Sequence, residues 1–266
     1  MVATDLDGTL LRSDKSVSGR TIRAMELALE AGITVVWATA RAQHSVAEFA
    51  AQARFRGDVV CANGAVLLDL RDGIRVTRTH AMAPEIALNA IRQFREAVPG
   101  TVFALVGPTG FRAERGYAAA SVFADHWRQP HEMETVEELA ELDDEIVKVV
   151  ARHPEMHAGD LYAAVRRAGI GEVELTYSLA PYVEMSGAGI SKAFGLAALA
   201  EERGIDVSEV AAIGDAMNDF AMLSWAGTAL APANAVPEIA EIAHELLPSN
   251  DEDGVASYLE RLLDLQ

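Results

Sequence analysis

The sequence predicts an α/β protein, a parallel sheet with helices on both faces that is interrupted by an α+β insertion. Strand-like and helix-like segments alternate from Met1 to about Val76, the pattern of a βαβ sheet. That alternation stops near Met82-Ala83-Pro84 and resumes after about Pro181. On both sides of the interruption a short apolar run leads directly into an Asp- and Gly-bearing segment. In a parallel sheet such segments gather at the carboxyl ends of the strands.

Met1-Val2-Ala3 opens the first strand, with only four residues ahead of Asp5; it is a short strand or one whose start lies upstream. Ser18 to Gly32 has Ile22, Met25, Ala28 and Leu29 at helical spacing and a glycine stop. Ile33 to Ala38 is β-branched and aromatic, as a buried parallel strand requires. A helix over Ala42 to Ala53 and a strand over Asp58 to Ala62 follow. Val66-Leu67-Leu68 and Ile74-Arg75-Val76 flank Arg71-Asp72-Gly73 as a hairpin. The insertion reads as a helix (84–97), strands (101–107, 110–114), helical and acidic pieces (119–142), a strand (146–152), a helix (158–168) and strands (172–177, 182–186). The core resumes with a helix at 190–203 and a strand over Val210 to Gly214. Helices at 218–225, 236–243 and 254–264 and strands near 228–231 and 244–247 complete it. The expected domains are therefore 1–82 plus 183–266 for the core and 83–182 for the insertion.

Composition narrows the function classes. The 266 residues are half hydrophobic, enough for a substantial core in one large domain or two modest ones. Forty acidic against 22 basic side chains give a formal charge of -18. That sign argues against nucleic acid and anionic membrane surfaces as partners. A phosphorylated substrate would need local positive charge, such as a metal. The single cysteine, Cys61, sits in Val59-Val60-Cys61-Ala62 and reads as a small buried hydrophobe. The histidines have no metal-ligand spacing. Without a signal peptide or a run of about 20 apolar residues, the expectation is a soluble cytoplasmic protein. The sequence does not give the oligomeric state.

Asp5-Leu6-Asp7-Gly8-Thr9 is the most informative segment. Side chains at i and i+2 lie on one side of a strand, so Asp5 and Asp7 can converge past its end, where Gly8 allows a sharp turn. Paired carboxylates suit nucleophilic catalysis with acid/base assistance, although Asp and Gly are equally at home in a surface turn. Thr39 follows the second strand, with Arg41 at a helix start. It can hold an anion or simply cap the helix. Lys192 begins a periodic helix, where a cation opposes the dipole and an anionic partner would explain it; a solvated lysine is the ordinary alternative. In Gly214-Asp215-Ala216-Met217-Asn218-Asp219, Asp215 projects from a strand end toward Asp5, while the acidic residues could also serve as caps. Carboxylates converging there describe a Mg²⁺ site.

These four segments, in this order, resemble the four motifs of the haloacid dehalogenase (HAD) superfamily. The large insertion between the second and third resembles its Cof-type branch (subfamily IIB). Cys61-Ala62-Asn63-Gly64-Ala65, Asn234-Ala235 and the tail Ser249-Asn250-Asp251-Glu252-Asp253-Gly254-Val255 extend the likeness over nearly the whole chain. The resemblance implies a Rossmann-like core with an inserted cap of the C2B type. It implies Asp5 as a nucleophile forming an aspartyl-phosphate and Asp7 as acid and base. Mg²⁺ would be bound by the Asp5 carboxylate, the Asp7 carbonyl and Asp215, with Asp219 orienting the metal site or Lys192. Thr39, Ala40, Lys192, Asn218 and the Leu6 backbone would bind phosphate. Ala40 departs from the glycine usual in the second motif, which would matter if the backbone there is glycine-like.

The function expected is thus a Mg²⁺-dependent phosphatase of small phosphorylated metabolites, sugar phosphates among them. A phosphomutase and a non-catalytic phosphometabolite-binding regulator are the alternatives. Arg112, Arg115, His131 and Tyr182 are candidates for the cap's substrate face, and each is also explained as an ordinary surface or packing residue. Asp251-Glu252-Asp253 reads as a solvated loop.

Overall fold

The computed structural model describes residues 1–120, 135–136, 139, 145–178 and 180–264. The chain forms two compact units, Met1–Arg78 with Ser191–Gln266, and Thr79–Ile190. The first unit contributes β1 (Val2–Thr4), α1 (Gly19–Glu30), β2 (Val35–Ala38), α2 (Gln43–Ala53), β3 (Asp58–Cys61), β4 (Val66–Asp69) and β5 (Arg75–Thr79) before the insertion. The inserted unit then holds α3 (Pro84–Ala97), β6 (Val102–Val106), β7 (Phe111–Glu114), α4 (Arg115–Ala120) and β8 (Thr135–Val136). It continues with β9 (Lys148–Arg152), α5 (Ala158–Ala168), β10 (Val173–Tyr177) and β11 (Val183–Gly187). The first unit closes with α6 (Lys192–Arg203), β12 (Ala211–Ile213), α7 (Phe220–Trp225), β13 (Thr228–Pro232), α8 (Pro237–Ala240), β14 (Glu245–Leu247) and α9 (Gly254–Asp264).

The first unit is built on a sheet of order β14-β13-β12-β1-β2-β3-β4-β5. β1, β2, β3, β12, β13 and β14 pair in parallel, and β4 turns back antiparallel on β3. Every residue of β1, β2, β3 and β12 is buried. Because successive side chains alternate faces, both faces must be covered, which is why these strands are apolar apart from Thr4 and Asp58 at their ends. Ala3, Val36, Ala38, Val60 and Ala212 pack with Leu196 and Leu199 of α6 and Met222 and Leu223 of α7. Trp37 lies on the opposite side of β2, fully buried, its ring stacked on Phe55 at 4.2 Å between centroids. α1 starts where Ser18 accepts a hydrogen bond from the Thr21 amide, the local cap expected of serine.

β1 lies between β2 and β12 although these are far apart in sequence. The strand order reverses there, so loops leaving the carboxyl ends of β1, β2 and β12 splay apart around a crevice. Asp5, Thr39 and Asp215 each follow one of those strands.

The inserted unit carries a second sheet, β10-β11-β9-β6-β7-β8, antiparallel except for β7 with β8. Its apolar face (Phe103, Leu105, Val149, Ala151, Val183, Met185) packs against Ala87, Ile91 and Phe94 of α3 and Leu161 and Val165 of α5. β11 belongs to this sheet, so the first unit resumes at Ser191 and not at 183. The chain also enters the unit before 83, since Met82 already bridges Ile146. A short strand, β8, occurs within the stretch 119–142 expected to be helical; most of that stretch, His131 included, lies outside the described residues. No helix among the described residues is long and apolar enough to cross a membrane.

Trp37→Ala should destabilise the protein by about 3–5 kcal/mol through cavity formation. Trp37→Phe should cost clearly less, because the buried indole N–H it removes has no hydrogen-bond partner. Denaturant unfolding of the two variants checks both.

Candidate active site

Asp5 leaves β1 with its amide donating to the Ile213 carbonyl at 2.9 Å, so the strand pairing itself sets its position. Lys192 is the first residue of α6, capped by Ser191, and its side chain is fully buried. Its Nζ donates to Asp5 Oδ1 at 2.5 Å and to Asp219 Oδ1 at 2.6 Å. Asp219 Oδ2 accepts the amides of Asp215 and Ala216 at 2.9 and 3.1 Å. Asp215 Oδ1 accepts from the Thr9 hydroxyl at 2.7 Å. The lysine is not solvated; its anionic partners are the nucleophile candidate and the fourth-motif aspartate.

Two glycines make these approaches possible. Gly8 has φ +85°, and a Cβ there would run into the Asp215 carboxylate. Gly64, at φ +104°, lies against the Ser191 carbonyl in the space a Cβ would need, so α6 can begin close enough for Lys192 to enter. The second of these explains the Cys61–Ala65 segment. Its amides also brace the loop after β2, Ala62 donating to the Arg41 carbonyl at 2.9 Å and Asn63 to that of Thr39 at 3.1 Å.

Thr39 is buried, and its hydroxyl accepts from the Arg41 amide at 3.1 Å. It does not cap α2, whose N-cap is Ala42. Ala40 is not among the residues with positive φ, so its methyl group imposes no backbone strain where a glycine was expected. Asn218 contributes a buried Oδ1 without a hydrogen-bond partner beside Asp219. Leu6 is fully buried between the two motif aspartates.

Asp7 has a different environment. Arg41 donates to it with Nε at 2.6 Å and Nη2 at 2.7 Å, and Lys15 Nζ lies 2.9 Å from Oδ1. Burial pushes the Asp7 carboxyl up, but Arg41 and then Lys15 outweigh it and hold the group below its ordinary range. Neither partner was assigned to Asp7 from sequence. Arg41 was visible only as a basic residue at a helix start, and Lys15 carried no signal.

Charge at the centre does not balance. Three buried carboxylates, Asp5, Asp215 and Asp219, share one ammonium, Lys192, leaving two uncompensated negative charges. Burial first, and then the neighbouring carboxylates, push Asp5 well above the usual range against the pull of Lys192. Burial, and then Asp219, raise Asp215 to about 7. Burial opposes the charge on Lys192, but Asp219 and Asp5 overcome it and keep the amine protonated. One carboxylate oxygen from each of the three lies within 4.8 Å of the others. Asp219 has both oxygens committed to Lys192 and backbone amides, whereas Asp215 Oδ2 is buried with no hydrogen-bond partner. An all-oxygen donor set with two surplus negative charges and an unsatisfied carboxylate oxygen fits a hard divalent cation. Asp5 and Asp215 are the better ligands, and Asp219 is already used.

The family described as haloacid dehalogenase-like hydrolase matches residues 2–259. The chain belongs to this family. Among curated proteins it is similar to the phosphatase YwpJ of Bacillus subtilis (strain 168), at 29% identity over 99% of each chain. It is also similar to 5-amino-6-(5-phospho-D-ribitylamino)uracil phosphatase YitU of the same organism, at 25% identity over 100% of this chain and 98% of that one. Among solved structures, a haloacid dehalogenase-like hydrolase from B. subtilis superimposes with a TM-score of 0.82 at 26% identity, covering 98% of this chain and 99% of that one. This hydrolase thus combines the family's fold with the buried carboxylate cluster described above.

The tail corrects one expectation. Asp251 accepts from the Ser13 amide and hydroxyl at 2.8 and 2.7 Å, and Asp253 accepts from Arg12 at 2.8–3.0 Å. These residues are not a merely solvated loop, because a tight turn brings them to the chain just after the first motif. Asn234 and Asn250 join them. Asn234 Nδ2 donates to the Gly8 carbonyl at 2.7 Å and Asn250 Nδ2 to that of Leu11 at 2.9 Å. Of the candidates in the inserted unit, Arg112 is in β7 opposite Leu105, Arg115 begins α4, and Tyr182 precedes β11 with its ring 5.9 Å from the Arg152 guanidinium.

Gly8→Ala should cost at least about 1–2 kcal/mol from the left-handed backbone alone, with further loss from displacing Asp215; calorimetry measures it. Lys192→Met should destabilise by about 3–5 kcal/mol, because it strands two buried carboxylates. In the metal-free protein, the raised Asp215 contributes stability that is present below the ordinary carboxylate range and lost as pH rises through about 7. A divalent cation replaces that proton, so its increment in Tm should be larger at about pH 8 than at about pH 5.5. Melts with metal and with EDTA at each pH check this, and an equal increment at both would contradict it.

Proposed function

We propose that the protein is a Mg²⁺-dependent phosphatase of small phosphorylated metabolites that works through an aspartyl-phosphate on Asp5. The observation that carries this reading is Lys192 holding Asp5 beside the unsatisfied Asp215 carboxylate. Asp5 is buried, oriented by one oxygen and next to a cation, as an in-line nucleophile must be. An Asp5 oxygen attacks phosphorus as the ester P–O bond breaks, and the departing alkoxide takes a proton from the protonated form of Asp7, a stronger acid for the cations beside it. Asp7 then accepts a proton from water, which attacks phosphorus, releases phosphate and restores Asp5. Thr39, the Ala40 amide, Lys192, Asn218 and the Leu6 backbone are proposed to hold the phosphoryl oxygens. The Asp5 carboxylate, the Asp7 carbonyl and Asp215 would hold Mg²⁺, which supplies neutralisation of phosphoryl charge. Asp219 keeps Lys192 and the Asp215 backbone in place.

The inserted unit is proposed to be the cap that selects the leaving group. The relative named for a phosphorylated ribitylaminouracil favours a phosphorylated metabolite with a hydroxylated organic part, sugar phosphates included. Asp5, Asp7, Lys192 and Asp215 are all present, which favours catalysis over a binding-only role.

Phosphate release from a panel of phosphorylated metabolites, with Mg²⁺ or EDTA, tests the reading. Turnover should require the metal and disappear in Asp5→Asn. Turnover retained by Asp5→Asn, or none on any substrate from folded protein that binds Mg²⁺, would overturn it.

A further inference from the structure

Lys15 lies outside every segment that resembles a family motif, yet it reaches the proposed acid/base carboxylate. It sits in a turn closed by Lys15 N donating to the Arg12 carbonyl at 2.8 Å and Arg12 N donating to that of Ser16 at 3.0 Å. Its φ is +66°, a left-handed conformation uncommon for a side-chain-bearing residue. Asp14 helps to hold that conformation, accepting from the Ser16 amide at 2.9 Å. The turn sends the lysine back along the chain to within 2.9 Å of Asp7 Oδ1.

The turn does not hold itself in place. Arg12 is gripped by Asp253 through three donor–acceptor contacts, and Ser13 by Asp251 through two. Asp253 is itself left-handed, with φ +59°. One step nearer the nucleophile, Asn250 holds the Leu11 carbonyl and receives support from Asn234, whose Oδ1 accepts the Asn250 amide at 2.9 Å. Asn234 in turn holds Gly8. The tail therefore fastens the chain from Gly8 to Ser13 at successive points. Arg41 alone would fix Asp7 in a fork on one side; Lys15 adds a contact that depends on the turn's conformation.

We infer that Lys15 is a positioning residue for Asp7, and that the Asp251/Asp253 clasp serves catalysis by aiming it. The inference rests on the proposed role of Asp7 as proton donor to the leaving group. A misaimed acid penalises an alkyl phosphate, whose alkoxide needs the proton, more than an aryl phosphate with a stable phenolate leaving group. kcat/KM reports this because it extends only through the first irreversible step, in which the alcohol leaves.

The experiment measures kcat/KM for wild type, Lys15→Ala, Lys15→Arg, Asp251→Ala and the Lys15→Ala/Asp251→Ala double variant. The substrates are p-nitrophenyl phosphate and the best alkyl phosphate of the panel. Lys15→Ala should lower the alkyl-to-aryl ratio about tenfold or more, the lost aim outweighing the proton affinity that Asp7 regains when the cation is removed, with Lys15→Arg restoring most of the ratio. Asp251→Ala should shift the ratio in the same direction, and the double variant should shift it no further than Lys15→Ala. An unchanged or raised ratio in Lys15→Ala would overturn the inference. Additive shifts in the double variant would overturn the part assigned to the clasp. Failure of the phosphatase reading is separate, since it would appear as no Asp5-dependent turnover of either substrate.

Discussion

A single ammonium set among three buried carboxylates is the interaction on which the site depends. Lys192 is far from Asp5 in sequence, and the fold must bring the start of α6 against the end of β1 to pair them. Gly64 gives up its side chain so that Ser191 can approach, and the parallel pairing of β1 with β12 puts Asp215 and Asp219 at the same edge. Burying such charges costs roughly several kcal/mol per ion unless they are mutually satisfied. Here they are satisfied only in part. The remaining negative charge and the bare Asp215 oxygen are what fit the site to a cation.

Asp5 and Asp7 show how two identical side chains acquire different properties within one turn. Asp5 faces the crowded carboxylate centre, and burial drives its proton affinity up; Asp7 faces Arg41 and Lys15, which lower its proton affinity. The difference lies in the partners: Lys192 pairs with Asp5, while Arg41 and Lys15 pair with Asp7. Two carboxylates can thus lie two residues apart in sequence without sharing an environment.

Much of this was legible in the sequence because it is written locally. The apolar strands before Asp5, Thr39 and Asp215 announce a parallel sheet, and helix starts such as Ser18 and Pro84 carry their own signals. Lys192 was legible as a cation at a helix start that wants an anion, but its pairing with Asp5 was not. The relations not legible were those set by tertiary contact between polar residues without periodic spacing. Arg41 and Lys15 meet Asp7 through turn geometry, and Asp251 and Asp253 reach the chain after the first motif from the far end of the sequence. The boundary at β11 was missed for a similar reason: an apolar strand does not state which sheet it joins, and only its pairing with β9 and β10 assigns it.

The most direct measurement of the central claim is a rapid acid quench of the enzyme during turnover, followed by reductive trapping of acyl phosphates and mass spectrometry of the peptides. The account predicts a phosphoryl group on Asp5 alone, formed in proportion to enzyme and absent when substrate is omitted. A modification on another residue, or turnover with no trapped phospho-enzyme under conditions that capture a phosphoaspartate standard, would contradict it.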